Sequence, residues 1–292
     1  MKHIFIVNTT SYPLETLNLI ERIIEICRSL KVNYNIRCVD SREKTIKLAS
    51  TFKNENAIIY AVGGDGTVNA VLNGIVGGSA FLGIVPNGAS NDLFRFLNES
   101  GNESTICNVM RVNDLYCLNI FSLGIDAEIC ENAEKMKKFD IPRGQIYNWS
   151  IAYTFFKHKD FPVLVKADEK NFYSPSMSMV AICNGKYCEN GYPINPNACI
   201  ENKGSNLIMV EALKRYQMLF FVKAILSGKQ DRFQNYLNLD ASKVEIALDF
   251  PIIGNVDGVI IESDNFVIDS SASKINIVHN SELLNLIRKK NT

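Results

Sequence analysis

The chain has 292 residues, 47% hydrophobic and 21% charged, enough to bury one large or two ordinary cores. Lys+Arg and Asp+Glu stand at 31 each, so no field of one sign favours wrapping a polyanion, and no nucleic-acid partner is expected. The eight cysteines form no C-x-x-C pair and fall mostly within apolar runs, which reads as buried free thiols rather than a zinc or disulfide framework.

"MKHIFIVN" is too short for a signal segment and "MLFFVKAIL" is broken by Lys223, so the expectation is a cytoplasmic chain without a membrane span. "HIFIVN" (3–8) is a β-branched run; Ile20, Ile23, Cys27 and Leu30 then recur at helical spacing. "NYNIRCVD" (33–40) and "SREKTIKLASTF" (41–52) repeat the pair, with Ser41 as N-cap of a helix over 44–52. "AIIYAVG" with "TVNAVLNGIV", and "AFLGIVP" with "SNDLFRFLN", add two more pairs. Four strand–helix units predict an α/β domain built on an open parallel sheet. From about residue 115 the pattern turns to β, as "YCLNIFSLGI", "FPVLVKA", "SMSMVAICNG", "NLIMVEAL", "VEIALDF", "GVIIES", "NFVID" and "KINIVH", with one helical interlude at 217–228. The predicted fold is α/β plus β: an N-terminal nucleotide-binding domain over 1–120, with 281–292 as a candidate completing segment, and a second β-sandwich domain over 121–280.

Within "IIYAVGGDGTVNAVLNGIVGG" (58–78) the residues Gly63, Gly64, Asp65, Gly66 and Thr67 make the turn from a buried strand into a helix starting near Thr67. Glycines permit positive φ and let backbone N–H groups approach a ligand, and a helix start offers unpaired donors and a positive dipole end. Phosphate suits such a turn. Asp65 would repel it unless a divalent cation or a proton intervenes, which suggests Mg²⁺ near a nucleotide. Glycines in a tight strand–helix connection also need no ligand, and neither G-x-G-x-x-G nor G-x-x-x-x-G-K-[ST] is present, since Asn69 stands where a third glycine would be. A second loop, "GIVPNGASNDLFRFL", brings Gly88, Asn91 and Asp92 to the next strand's end. Adjacent parallel strands would set both loops at the sheet edge where such folds bind ligands.

These blocks resemble the diacylglycerol kinase catalytic domain family of lipid kinases, which includes sphingosine kinase relatives. "VGGDGTVNAVLNGIVG" looks like its nucleotide loop and "LGIVPNGASNDLFRFL" like its second loop. "IFSLGIDAEI" resembles the strand entering the second domain, "CNGKYCENGYPINPNA" the middle block and "NVDGVIIE" the late Asp-Gly motif. The resemblance implies an NAD kinase/diacylglycerol kinase-like two-domain fold, ATP and Mg²⁺ as cofactors, and a lipid hydroxyl as acceptor. It implies Asn8, Gly63, Gly64, Gly66, Thr67, Gly88 and Asn91 at the nucleotide, Asp65 and Asp92 in the metal network, and Asp257 as general base. Asp257-Gly258 read alone is a hairpin turn.

The sequence departs from the family's pattern at Ala70, Ala89, Lys203 and Val259, and after Asn8 the usual Pro and Gly are missing. A nucleotide- or lipid-binding relative without turnover therefore stands as the alternative, with a NAD kinase-like enzyme behind it, lacking a downstream Asn-Glu motif. The implied partner is a lipid at a membrane surface, visited transiently, and a homodimer is left open. Residues 131–158 mix lysines with Trp149, Tyr147, Tyr153 and paired phenylalanines, which suits an interfacial surface or, equally, a solvated helix followed by a core-facing one.

Overall fold

The computed structural model describes residues 1–10, 13–88, 90–139, 141–142, 145–188, 191–198 and 204–289. The chain divides into two compact units, Met1–Cys107 with Ser273–Thr292, and Asn108–Ala272.

The first unit alternates strand and helix: β1 Lys2–Asn8, α1 Pro13–Ser29, β2 Tyr34–Val39, α2 Arg42–Ser50, β3 Ala57–Gly63, α3 Asp65–Ile75, β4 Phe81–Pro86 and α4 Asp92–Glu99. β1 pairs in parallel with β2 and β3, and β3 with β4. The last residues of a long strand, β13 (Val259–Val278), join in parallel beside β4, and α8 (Glu282–Arg288) follows. Every residue of β3 is buried, as a central strand covered on both faces requires. Phe5 stacks on Tyr60 with centroids 4.5 Å apart, and one face of α1, carrying Ile23 and Cys27, packs with Leu284 and Ile287 of α8. Ser41 caps α2 by accepting a hydrogen bond from the Lys44 N–H, worth about 1 kcal/mol. The helix starts at Arg42, two residues before the sequence reading placed it.

The second unit is mainly antiparallel. It contains β6 Leu115–Cys117, β7 Ile120–Gly124, α5 Ile125–Met136, α6 Ile146–Lys157, β8 Phe161–Ala167, β9 Lys170–Cys183, β10 Ser205–Glu211, α7 Arg215–Leu226, β11 Tyr236–Ala241 and β12 Lys243–Val256. A further strand, β5 (Ser104–Val112), leads in and pairs with β6 and β13. Both β7 and β8 lie between β9 and β12, β7 at one end of these long strands and β8 at the other. The register of β12 shifts between Ala247 and Ile252, the irregularity that lets a long strand bend around a core. That core holds Phe121, Val180, Val244 and Phe266, with ring centroids of Phe121 and Phe266 5.2 Å apart.

Several elements differ from the sequence reading. "GVIIES", "NFVID" and "KINIVH" are one 20-residue strand, because β12, β5 and β4 supply pairing partners along it that override the intervening polar residues. "IFSLGIDAEI" ends as a strand at Gly124, whose φ of +80° turns the chain into α5. β5 and β11 carry too little periodicity to stand out alone. Of the described cysteines, five are buried, but Cys38 is exposed on β2 and Cys188 is half-buried.

His3 and His279 are both held below their ordinary value of 6.5, chiefly by burial, with smaller effects from the N-terminal amine and Arg288 respectively. As pH falls through 6.5 the unfolded chain takes up these protons before the folded one, so stability is lost on the acid side. Urea unfolding should therefore show a lower midpoint at about pH 5.5 than at about pH 7.5, with a smaller difference in His279→Gln. An equal difference in that variant would show that this histidine is not a source of the effect.

Candidate functional site

Three neighbouring parallel strands of the first unit end at one place. Asn8 closes β1, Gly63 closes β3 and Pro86 closes β4, with Gly63 and Pro86 in register. The Asn8 side chain donates to Thr67 Oγ1 at 3.1 Å, and its own Oδ1 accepts from the Thr10 N–H and hydroxyl. Gly64 is the N-cap of α3, so the helix begins at Asp65, two residues earlier than the sequence suggested.

The glycines are needed for close approach, not for left-handed backbone. Gly63, Gly64, Gly66 and Gly88 are absent from the positive-φ residues. A Cβ on Gly88 would lie 2.2 Å from the Gly64 Cα, and one on Gly63 would lie 2.3 Å from Thr67 Oγ1. The two loops thus touch backbone to backbone, and the Asn87 N–H donates to the Gly63 carbonyl at 2.9 Å. Asn91 folds the second loop on itself, its Nδ2 donating to the Gly88 carbonyl and its Oδ1 accepting from the Gly88 N–H. Asp65 accepts the Asp92 N–H at 3.1 Å, while Asp92, which is buried, accepts the Ser90 hydroxyl at 2.6 Å. Asn8, Gly63, Gly64, Asp65, Gly66, Thr67, Gly88, Asn91 and Asp92 therefore share one neighbourhood.

Residues not singled out from the sequence brace it. Asn87 donates to Thr16 Oγ1 of α1, and Arg42 donates to Asn69 Oδ1 at 2.8 Å, tying α2 to α3. Asn69 is fully buried, and a polar residue inside an apolar helical face was the available signal. Ala70 is buried on the same helix, whereas Ala89 and Lys203 lie outside the described residues. Among the described residues no group of three or more His, Cys, Asp or Glu side chains is placed to hold a metal.

Asp257 belongs to the second unit. With Gly258 it forms the two-residue turn between paired Val256 and Val259, at φ +49° and +85°, the left-handed conformation such hairpins use. Its buried carboxylate accepts the backbone N–H groups of Leu118, Asn119 and Ile120 at 2.6, 3.0 and 2.9 Å and the Cys117 thiol at 3.2 Å. Burial, and the neighbouring Asp257 charge, push the Cys117 thiol well above its ordinary value, so it stays protonated as a donor. The carboxylate thus clamps the β6–β7 connection onto the hairpin. The same unit holds an apolar cavity of about 90 Å³, lined by residues including Ile129 of α5, Phe155 of α6, and Met218 and Phe221 of α7, with Asp126 and Ser178 also in its lining.

Three variants follow from this geometry. Gly88→Ala should separate the loops and destabilise the first unit by about 1–3 kcal/mol, read as a lower thermal midpoint; an unchanged midpoint would mean the loops yield freely. Asp257→Ala should cost more than about 2 kcal/mol by leaving buried N–H donors unpaired, while Asp257→Asn, which keeps one oxygen and tolerates positive φ, should cost less. Equal losses in urea unfolding would contradict the clamp.

Residues 2–120 match the family described as Diacylglycerol kinase catalytic domain, and residues 119–269 the YegS C-terminal NAD kinase beta sandwich-like domain. A Staphylococcus haemolyticus protein named "Putative lipid kinase" is 29% identical over 55% of this chain and 58% of its own length; one from Staphylococcus carnosus with the same name is 31% identical over 46% and 49%. The chain thus spans about half the length of these curated relatives. A crystal structure titled as a putative diacylglycerol kinase from Bacillus anthracis superposes with a TM-score of 0.74 at 17% identity, covering 96% of this chain and 97% of that one, which shows a shared fold. With consecutive matches running from residue 2 to residue 269, the chain belongs to the family that joins a Diacylglycerol kinase catalytic domain to a YegS-type second domain.

Proposed function

We propose that the protein is an ATP-dependent kinase that transfers the γ-phosphate to a hydroxyl of diacylglycerol or a similar lipid. The observation carrying this reading is the meeting of two glycine loops at adjacent strand ends, with Asp65 and Asp92 linked beside a helix N-terminus. In this reading Gly63, Gly64, Gly66, Thr67, Gly88 and Asn91 hold the nucleotide, with Asn8 fixing Thr67. Mg²⁺ commonly takes only one or two protein carboxylates and fills its shell with phosphate oxygens and water, so the pair Asp65 and Asp92 fits it. When bound, the ion supplies charge neutralisation at the phosphates. The lipid hydroxyl oxygen forms the new bond to phosphorus, the bond to the bridging oxygen of ADP breaks, and Asp257 takes the hydroxyl proton. The apolar cavity of the second unit offers space for part of an acyl chain.

A second reading, binding without turnover, is favoured by one observation: the Asp257 carboxylate already accepts four hydrogen bonds, three on Oδ1 and one on Oδ2, which engage most of the lone pairs a base would use.

Labelled ATP and Mg²⁺ are incubated with detergent-dispersed diacylglycerol, sphingoid base or polyprenol, and with NAD as a soluble acceptor. Transfer to one lipid, reduced about 100-fold or more in Asp65→Asn, is the expected result. ATP binding with no transfer to any acceptor would establish the second reading, and phosphorylation of NAD would overturn the lipid assignment.

A further inference from the structure

We propose that the outward faces of α6 and α7 dock the protein onto the headgroup layer of an anionic phospholipid bilayer. On α6 the exposed residues Trp149, Tyr153 and Phe156 recur at four- and three-residue spacing, 57%, 49% and 66% accessible. On α7 Tyr216 and Phe220, 59% and 63% accessible, are four residues apart, with Lys223 the next member of the row. The two helices are tied together at this face, since Arg215 in the first turn of α7 donates to the last-turn carbonyls of Phe155 and Phe156 on α6.

Isolated exposed apolar residues are ordinary; an aligned aromatic row on two joined helices is not. The opposite faces of the same helices are apolar too: Ile151 and Phe155 of α6, and Met218, Phe221 and Ile225 of α7, line the cavity. A helix apolar on both faces needs a second apolar medium besides its own core. Charge and side-chain chemistry favour the bilayer over other media. Neither Ile146–Lys157 nor Arg215–Leu226 contains an acidic residue, while Lys157, Lys159, Lys214 and Lys223 are exposed at their ends and along the α7 row. The nearest acidic groups in sequence, Asp160, Glu211 and Asp231, lie outside the helices, and Asp160 is bonded by Ser178. Trp and Tyr rings with flanking lysines match an interface in which one end of each side chain is apolar and the other wet. The inference rests on the lipid reading only for its choice of occupant.

Trp149 is the single tryptophan of the chain, so its emission reports on this face directly. The full chain is mixed with vesicles of equal parts phosphatidylglycerol and phosphatidylcholine. The expected result is a blue shift with co-sedimentation, both weakened about tenfold in Phe156→Ser/Phe220→Ser and weakened by salt. Circular dichroism confirms that the double variant is folded. Absence of any shift or sedimentation overturns the proposal, as does equal binding by the folded double variant. An emission already blue in a chain found dimeric by light scattering, before vesicles are added, would assign the face to a second copy. Transfer to detergent-dispersed lipid without vesicle binding would sink the docking face and leave the kinase reading standing, whereas vesicle binding without transfer to any lipid would do the reverse.

Discussion

The candidate site is set by how closely two backbones can approach. β3 and β4 are neighbouring parallel strands whose last residues, Gly63 and Pro86, are in register, so their following loops must leave the sheet side by side. Gly64 and Gly88 allow these loops to lie in direct backbone contact, and a methyl group on Gly88 would overlap the Gly64 Cα. That contact places the start of α3 next to the start of α4, which brings the Asp92 N–H to the Asp65 carboxylate. Once the loops are joined, the remaining contacts are local: Thr67 held by Asn8, Asn91 closing its own turn, Ser90 orienting Asp92. A small number of glycines thus fixes the spacing of the carboxylates as well as the path of the chain.

In the second unit a charged group takes an equally structural part. Asp257 occupies a conformation few residues tolerate, and three consecutive backbone N–H groups compensate for burying its carboxylate. The site chemistry and the fold therefore share an atom group here, so removing the carboxylate tests both together. Asp257→Asn is the milder change, and comparing its folding with its activity separates the two contributions.

The strand–helix pairs of the first unit were legible because each buried strand is a continuous apolar run and each helix shows a three- to four-residue rhythm. In the second unit the same rules found β8, β10 and α7 but not the continuity of β13, which joins three runs that look separate, or of β12, whose register shifts midway. There the pairing partners, distant in sequence, decide what is strand. The glycines of the first loop were visible as a motif; of the two reasons read for them, positive φ does not hold, and the close approach they allow includes the neighbouring loop's backbone, which only the tertiary contact reveals. Asn69 stood out only as a polar residue in an apolar helical face, and its partner Arg42, 27 residues away, is what turns it into a brace.

What the sequence determines by itself is the order of local elements, the two glycine-bearing turns and the ordered blocks that match the Diacylglycerol kinase catalytic and YegS-type domains, because each is written in contiguous residues. What only the tertiary structure decided is which backbones touch, where the Asp257 carboxylate spends its hydrogen bonds, and which aromatic residues of α6 and α7 face outward. These are contacts and exposures between segments far apart in the chain, and a linear pattern carries the tendency of each residue to be buried but not the identity of what covers it.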